Sequence, residues 1–229
     1  MASEYSQQSF APPPGALDLL LVRHGQSEAY VPGRPFPLVD GQGDPALTPT
    51  GRAQAERVGE RLAGEEVAAI YVTSLTRTAE TAAPLGRATG LVPRVEADLR
   101  EVHLGEWEGG LFRQKVAEQD PIALEMFETE RWDVIPGAEG FDALEARVRA
   151  AVGRLAAAHA GQRVVAVTHG GVIGEIMRQA SGCRPFAFLG AENASISQIV
   201  VVGDRWIVRR FNDTAHFTAG FATESSPLT

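Results

Sequence analysis

The chain has almost no cysteine and almost no lysine. Cys183 is the one cysteine among 229 residues, so an intrachain disulfide cannot form. Cysteine-rich metal sites are excluded on the same ground. Cys183 reads as a small buried hydrophobe, and such sparing cysteine use fits a cytoplasmic location. Lys115 is the only lysine, so arginine carries nearly all the basic charge. That charge is itself in deficit, with 21 Lys+Arg against 29 Asp+Glu and a formal balance of −8. A broad nucleic-acid or anionic-membrane surface needs a net basic face and is not expected here. A small anionic substrate is compatible, because a few converging arginines reverse the field locally. No apolar run approaches the ~20 residues of a membrane span. The N-terminal stretch MASEYSQQSFAPPPGA also lacks the basic start and apolar centre of a signal peptide.

Apolar residues make up 44% of the chain, enough for the core of a folded domain. Residues 1–15 are rich in Ser, Gln and Pro and are expected to be disordered. Residues 16–217 are expected to form one domain, with 218–229 as a tail. Continuous apolar runs at 17–22 (LDLLLV), 67–72 (VAAIYV) and 164–168 (VVAVT) predict buried strands, and 91–95 a shorter one. Residues 31–46 hold too much Pro and Gly for a helix and read as a long loop. Thr48 before Pro49 predicts an N-cap and a helix to about residue 63. Further helical patterns cover about 76–89, 111–119, 121–130 and 141–160, and another follows residue 169. Gly90 is placed to end the second helix, and Pro121 to break the pattern. Residues 196–202 and 205–210 read as a hairpin around Gly203-Asp204. Strands alternating with helices indicate an α/β fold. The expectation is a single three-layer domain: a mostly parallel sheet, helices on both faces, and at least one antiparallel C-terminal strand.

In open α/β sheets, ligands bind beyond the carboxyl ends of the strands. The first strand delivers Arg23 and His24 there. The second delivers Ser74 and Arg77. Arg100 and Glu101 follow the third, and His169 with two glycines follows the fourth. Arginine forks match phosphate or carboxylate oxygens. A glycine-rich helix start offers backbone N–H groups to an anion. A histidine among cations can be a nucleophile or a donor, and a carboxyl group can be a general acid. Together they suggest phosphoryl transfer through a phosphohistidine.

LVRHGQSE (21–28) resembles the signature of the histidine phosphatase superfamily, the phosphoglycerate mutase-like proteins. LTPTGRAQA (47–55), TSLTRTAETA (73–82), LREVHLGEWEG (99–109) and VTHGG (167–171) match further family segments in order. NASIS (193–197) and FNDTAHF (211–217) match more weakly. The resemblance implies that His24 is the phosphorylated nucleophile and that Arg23 and Arg77 clamp the phosphate. It implies that His169 donates to the phosphoryl oxygens and that Glu101 is the general acid and base. Ser27 and Gly170 are candidate phosphate contacts, with a helix-start hydroxyl and simple close packing as the alternative readings. The scheme requires neither metal nor other cofactor, and a homodimer is compatible with it.

The family divides into mutases and phosphatases. Mutases place a Tyr three residues and a Lys eleven residues after the acid, where this chain has Leu104 and Phe112. Apolar side chains cannot hold a substrate carboxylate, so the phosphatase branch is the expectation. A cofactor-dependent mutase, a non-catalytic phospho-ligand binder and a metal hydrolase are the other readings. Many members carry an Asn seven residues after the signature Arg, where this chain has Tyr30. Tyr30 either supplies a hydroxyl in its stead or bends away. Glu106 and Glu108 read as a solvated loop face, Trp107 and Trp132 as packing residues, and His103 and His216 as structural. His159 reads as exposed, and Ser74 as the cap of the second helix.

Overall fold

In chain order the strands are β1 (Leu17–Arg23), β2 (Leu38–Val39), β3 (Gln42–Gly43), β4 (Ala69–Val72), β5 (Arg94–Val95), β6 (Arg163–Thr168), β7 (Ile196–Val202) and β8 (Arg205–Asp213). The helices are α1 (Pro49–Leu62), α2 (Thr76–Thr89), α3 (Leu111–Ala117), α4 (Pro121–Thr129), α5 (Phe141–Ala158) and α6 (Gly170–Ser181). They are taken from a computed structural model, which describes residues 6–217. Residues 1–5 and the tail expected at 218–229 lie outside the described residues. Residues 6–15 run exposed and without regular structure, and the Arg209 guanidinium lies over the Phe10 ring.

Six strands form one sheet in the order β5-β4-β6-β1-β7-β8. β5, β4, β6 and β1 pair in parallel; β7 runs antiparallel to β1, and β8 antiparallel to β7. Alternation along β1 explains the layering. Leu17, Leu19 and Leu21 pack toward α5 and α6, with Leu144, Val148, Ile173 and Ile176. Leu20 and Val22 point the other way, to Val58 and Leu62 of α1 and Leu85 of α2. A strand buried on both faces must be apolar throughout, as this run is, except at Asp18. Asp18 is compensated by Arg163 Nε at 2.8 Å and Gln198 Nε2 at 2.7 Å.

Two of the predicted caps hold. Thr48 Oγ1 accepts from the Gly51 N–H at 3.0 Å, and Gly90 ends α2 in the left-handed region. Asp120 caps α4, with Pro121 in its first turn. Several expectations are corrected. The predicted strands at 67–72 and 91–95 shorten to β4 and β5, because only those residues find ladder partners. The loop expected over 31–46 contains the β2–β3 ladder. Ser74 does not cap α2; Asp44 from that loop takes the Thr76 N–H at 2.8 Å and the Thr76 hydroxyl at 2.6 Å. His159 is buried, not exposed, and bonds to the Tyr71 hydroxyl at 3.0 Å and to Gln162 at 2.9 Å. Cys183 is partly exposed.

Candidate active site

The register of the central strands builds the site. Arg23 on β1 lies opposite Thr168 on β6, so His24 and His169 leave the sheet side by side. β1 is also the strand where pairing changes from parallel to antiparallel. The two imidazole centroids are 5.2 Å apart and nearly edge-on.

The His24 backbone is held on both sides. Its N–H donates to Thr168 O at 2.9 Å, and Asn193 Nδ2 donates to its carbonyl at 3.0 Å. The next residue must be small, because a Cβ on Gly25 would lie 2.5 Å from Gly51 O. His24 Nδ1 lies 2.8 Å from Gly25 O. A carbonyl only accepts, so Nδ1 carries the proton and Nε2 carries the lone pair. Burial, then Arg77 and Arg23, keeps this imidazole well below the ordinary histidine value of 6.5. Neutral imidazole is the nucleophilic form.

Arg77 is buried and Arg23 half-buried. Arg23 Nη1 donates to Ala191 O at 2.5 Å. Arg77, at the first turn of α2, donates to Gly43 O at 2.9 Å and lies 3.9 Å from Asp44. Burial pulls its pKa down to about 10, with Glu101 and Asp44 opposing. His169 is fully buried; its Nε2 meets Thr73 Oγ1 at 3.1 Å, and its Nδ1 has no partner among the described residues. Burial and then Arg77 hold it, like His24, well below 6.5.

Glu101 stands across from these cations. Its Oε1 accepts from the Val102 N–H at 3.0 Å, and its Oε2 from the Gly171 N–H at 3.3 Å. Its carbonyl is gripped by Gln42 Nε2 at 2.6 Å and Arg147 Nη2 at 3.1 Å. The glycine-rich start of α6 therefore gives one of its N–H groups to a carboxylate within the chain.

These groups surround a cavity of about 130 Å³. Arg23, His24, Arg77, Glu101 and Arg113 supply its charged side. Phe36, Leu104, Trp107, Phe112 and Trp132 supply an apolar side. Of the residues expected from sequence, Arg23, His24, Arg77 and Glu101 line the cavity, and His169 lies against His24. Ser27 and Gly170 do not line it. Ser27 Oγ instead accepts from Arg113, and Gly170 packs against the Arg23 side chain. Tyr30 does not line the cavity either; its ring packs edge-on toward Phe36 and close against Gly110.

Sequence reasoning missed three residues. Gln42 lines the cavity from β3, within the stretch read as loop. Glu108 is not a solvated loop residue: its carboxylate accepts from the Leu104 N–H and the Gly43 N–H, both at 2.8 Å. Arg113 lies outside every matching motif, and helix α3 alone gives no signal for it. Trp107 is buried as expected, and both it and Trp132 also reach the cavity wall. His103 Nδ1 accepts from the Gly105 N–H, and His216 Nε2 donates to Ala194 O, which are structural roles.

A neutral imidazole among guanidinium groups, facing a carboxyl group, is chemically suited to a tetrahedral anion and to its transfer. Known proteins resemble this chain over most of its length. The family model of the histidine phosphatase superfamily (branch 1) matches residues 19–214. Phosphoglycerate mutase-like protein 4 of Arabidopsis thaliana is 35% identical over 206 residues, covering 87% of this chain and 86% of that protein. A metal-independent phosphoserine phosphatase of the same plant is 32% identical over 223 residues, covering 92% of this chain and 90% of that one. In structure, a mycobacterial glucosyl-3-phosphoglycerate phosphatase superposes with a TM-score of 0.71 at 32% identity, covering 87% of this chain and all of that one. By motif, by sequence and by fold, this chain belongs to the histidine phosphatase superfamily.

Proposed function

We propose that the chain is a metal-independent phosphomonoester phosphatase that works through a phosphohistidine on His24. The observation that carries the reading is the His24 ring itself: Nδ1–H is committed to Gly25 O, so the lone pair sits on Nε2, beside Arg77 and Arg23. Nε2 attacks the phosphorus, and the ester P–O bond breaks. Glu101, as the carboxylic acid, gives its proton to the departing alkoxide. The same group, now a carboxylate, takes a proton from water as the water oxygen attacks phosphorus. The N–P bond breaks, inorganic phosphate leaves, and neutral His24 is restored. Arg23 and Arg77 neutralise the equatorial oxygens throughout. The orphaned Nδ1 of His169 is the buried polar atom that a phosphoryl oxygen would satisfy. Phosphatase-named relatives support the hydrolytic outcome. So do Leu104 and Phe112, apolar wall residues at the positions where mutases use Tyr and Lys. The substrate is read as a small phosphomonoester.

The test is phosphate release from p-nitrophenyl phosphate by wild type and His24→Ala, with and without EDTA, between about pH 5 and pH 8. Chelator-resistant release that disappears in His24→Ala is the expected result. Interconversion of phosphoglycerates without net phosphate release would favour a mutase. Saturable phosphate binding without turnover would favour a binding module, and loss of activity in EDTA a metal hydrolase.

A further inference from the structure

We infer that Arg113 is a third guanidinium for the transferred phosphoryl group, aimed into the site by Ser27 and Glu28; this rests on the phosphatase reading. Arg113 comes from the first turn of α3 and lines the cavity with Arg23, His24 and Arg77. Both terminal nitrogens are fixed. Nη1 donates to the Glu28 carbonyl at 2.6 Å, and Nη2 to Ser27 Oγ at 2.8 Å. Its plane also lies over the Phe36 ring, 5.4 Å from the centroid. A long side chain held at three points has little rotamer freedom left to lose on binding.

The placement is electrostatically unfavourable without an anion. No carboxylate among the described residues pairs with Arg113. Burial and the neighbouring Arg23 lower its pKa, and Arg113 in turn contributes to keeping His24 neutral. A half-buried guanidinium with no carboxylate partner, beside two others, is costly until a counter-charge arrives. The phosphoryl dianion of a monoester is that counter-charge.

Two anions could fill the role: the transferred phosphoryl group, or a carboxylate on the alcohol part of the substrate. The neighbours favour the first. The ionisable groups that Arg113 influences are Arg77 and His24, which surround the phosphoryl position. The other wall is apolar, formed by Leu104, Trp107, Phe112 and Trp132. Tyr30, at the position where many relatives carry a phosphate-binding Asn, does not line the cavity. Arg113 supplies the contact that this side of the phosphate otherwise lacks, and it does so by recruiting the Ser27 hydroxyl as a brace.

The test uses inorganic phosphate and orthovanadate as probes, because neither has an alcohol part. Binding is followed in the full chain by calorimetry, alongside kcat/KM for an aryl, an alkyl and a carboxylate-bearing monoester. Arg113→Met should weaken both probes by about 10- to 100-fold, the worth of charge-assisted hydrogen bonds. It should lower kcat/KM on all three esters by similar factors, and Arg113→Lys should restore part of the loss. Ser27→Ala should shift probe binding in the same direction by a smaller factor. Unchanged probe affinity in a folded Arg113→Met variant overturns the inference. So does a loss confined to the carboxylate-bearing ester, which would make Arg113 a reader of the alcohol part. Probe binding that depends on Arg113 in a protein that turns over no ester would sink the phosphatase reading and leave this inference standing.

Discussion

The Nδ1–H of His24 donates to the carbonyl oxygen of Gly25 at 2.8 Å, and this bond decides which ring nitrogen can react. The bond exists because Gly25 follows directly and its backbone is pressed against the start of α1. The Gly25 N–H is meanwhile anchored on Thr81 Oγ1 at 2.9 Å. Loop, helix α1 and helix α2 thus jointly fix a tautomer.

The protonation state of both histidines has a measurable consequence. Burial, then arginine, holds His24 and His169 well below 6.5. Ring-carbon NMR of the free protein should therefore show both imidazoles still neutral as the pH passes through 6.5. The linked stability has a definite sign. Below 6.5 the unfolded chain binds protons that the folded His24 refuses, so stability falls as pH drops from 6.5 toward the depressed folded value. His24→Gln lacks that penalty. Its stability relative to wild type should improve as the pH is lowered from about 7 to about 5, measured by urea unfolding. A constant difference would contradict the depressed pKa.

Glu101 is positioned by the glycine that donates to it. A Cβ on Gly171 would lie 2.6 Å from Glu101 Oε1 and 2.8 Å from Val102 Cγ2. Gly171→Ala must displace the carboxyl group. Its kcat should fall between those of wild type and Glu101→Gln, the latter losing about 10²- to 10⁴-fold. The loss in kcat/KM, which reports the step that expels the alcohol, should be larger on alkyl phosphates than on p-nitrophenyl phosphate, whose leaving group needs little protonation. Equal losses on both would argue against an acid role for Glu101.

Arg77 carries two duties. Arg77→Met should lower kcat/KM by roughly 10- to 100-fold through lost charge-assisted bonds. It also removes the donor that holds Gly43 O at 2.9 Å, so proteolysis within the β2–β3 segment should quicken. A variant that is slow but equally protease-resistant would separate the two duties.

The junction of β1 and α1 can be probed for stability and activity separately. Thr48→Ala removes an N-cap and should cost about 1 kcal/mol, or about 2–4 °C in Tm, with catalysis little changed. Gly51→Ala is different, since its Cβ would lie 2.0 Å from Gln26 O. It should lower both Tm and kcat, because the loop that must yield carries His24. Thermal melts with parallel assays distinguish the pair.

Much of this could be read from the residues. The apolar runs at β1 and β6 are long, and burial on both faces leaves no other pattern, so their ends place His24 and His169 directly. Thr48-Pro49 and Gly90 are local signals with local causes, and they appear where expected. What escaped depends on distant contacts. Asp44 caps α2 from a loop 32 residues earlier, a partnership no local rule anticipates. Glu108 looks like any surface glutamate until β3 arrives to share its carboxylate. Arg113 lies in a short helix of mixed polarity whose sequence does not say which face meets the cavity. His159 looked like a solvated helix end until Tyr71 on β4 reached it. His24 and His169 sit directly at strand ends and are legible. Those that brace them sit on loops and short helices, where tertiary contact decides.

The central claim is a phosphoryl group on His24 Nε2. Glu101→Gln mixed with p-nitrophenyl phosphate should phosphorylate normally, because the leaving group departs unaided, and should then stall at hydrolysis. Rapid quenching at alkaline pH and peptide mass spectrometry should find an acid-labile phosphoryl group on the peptide containing His24, absent in His24→Ala. Turnover by His24→Ala, or a phosphoryl group on another residue, would contradict the mechanism.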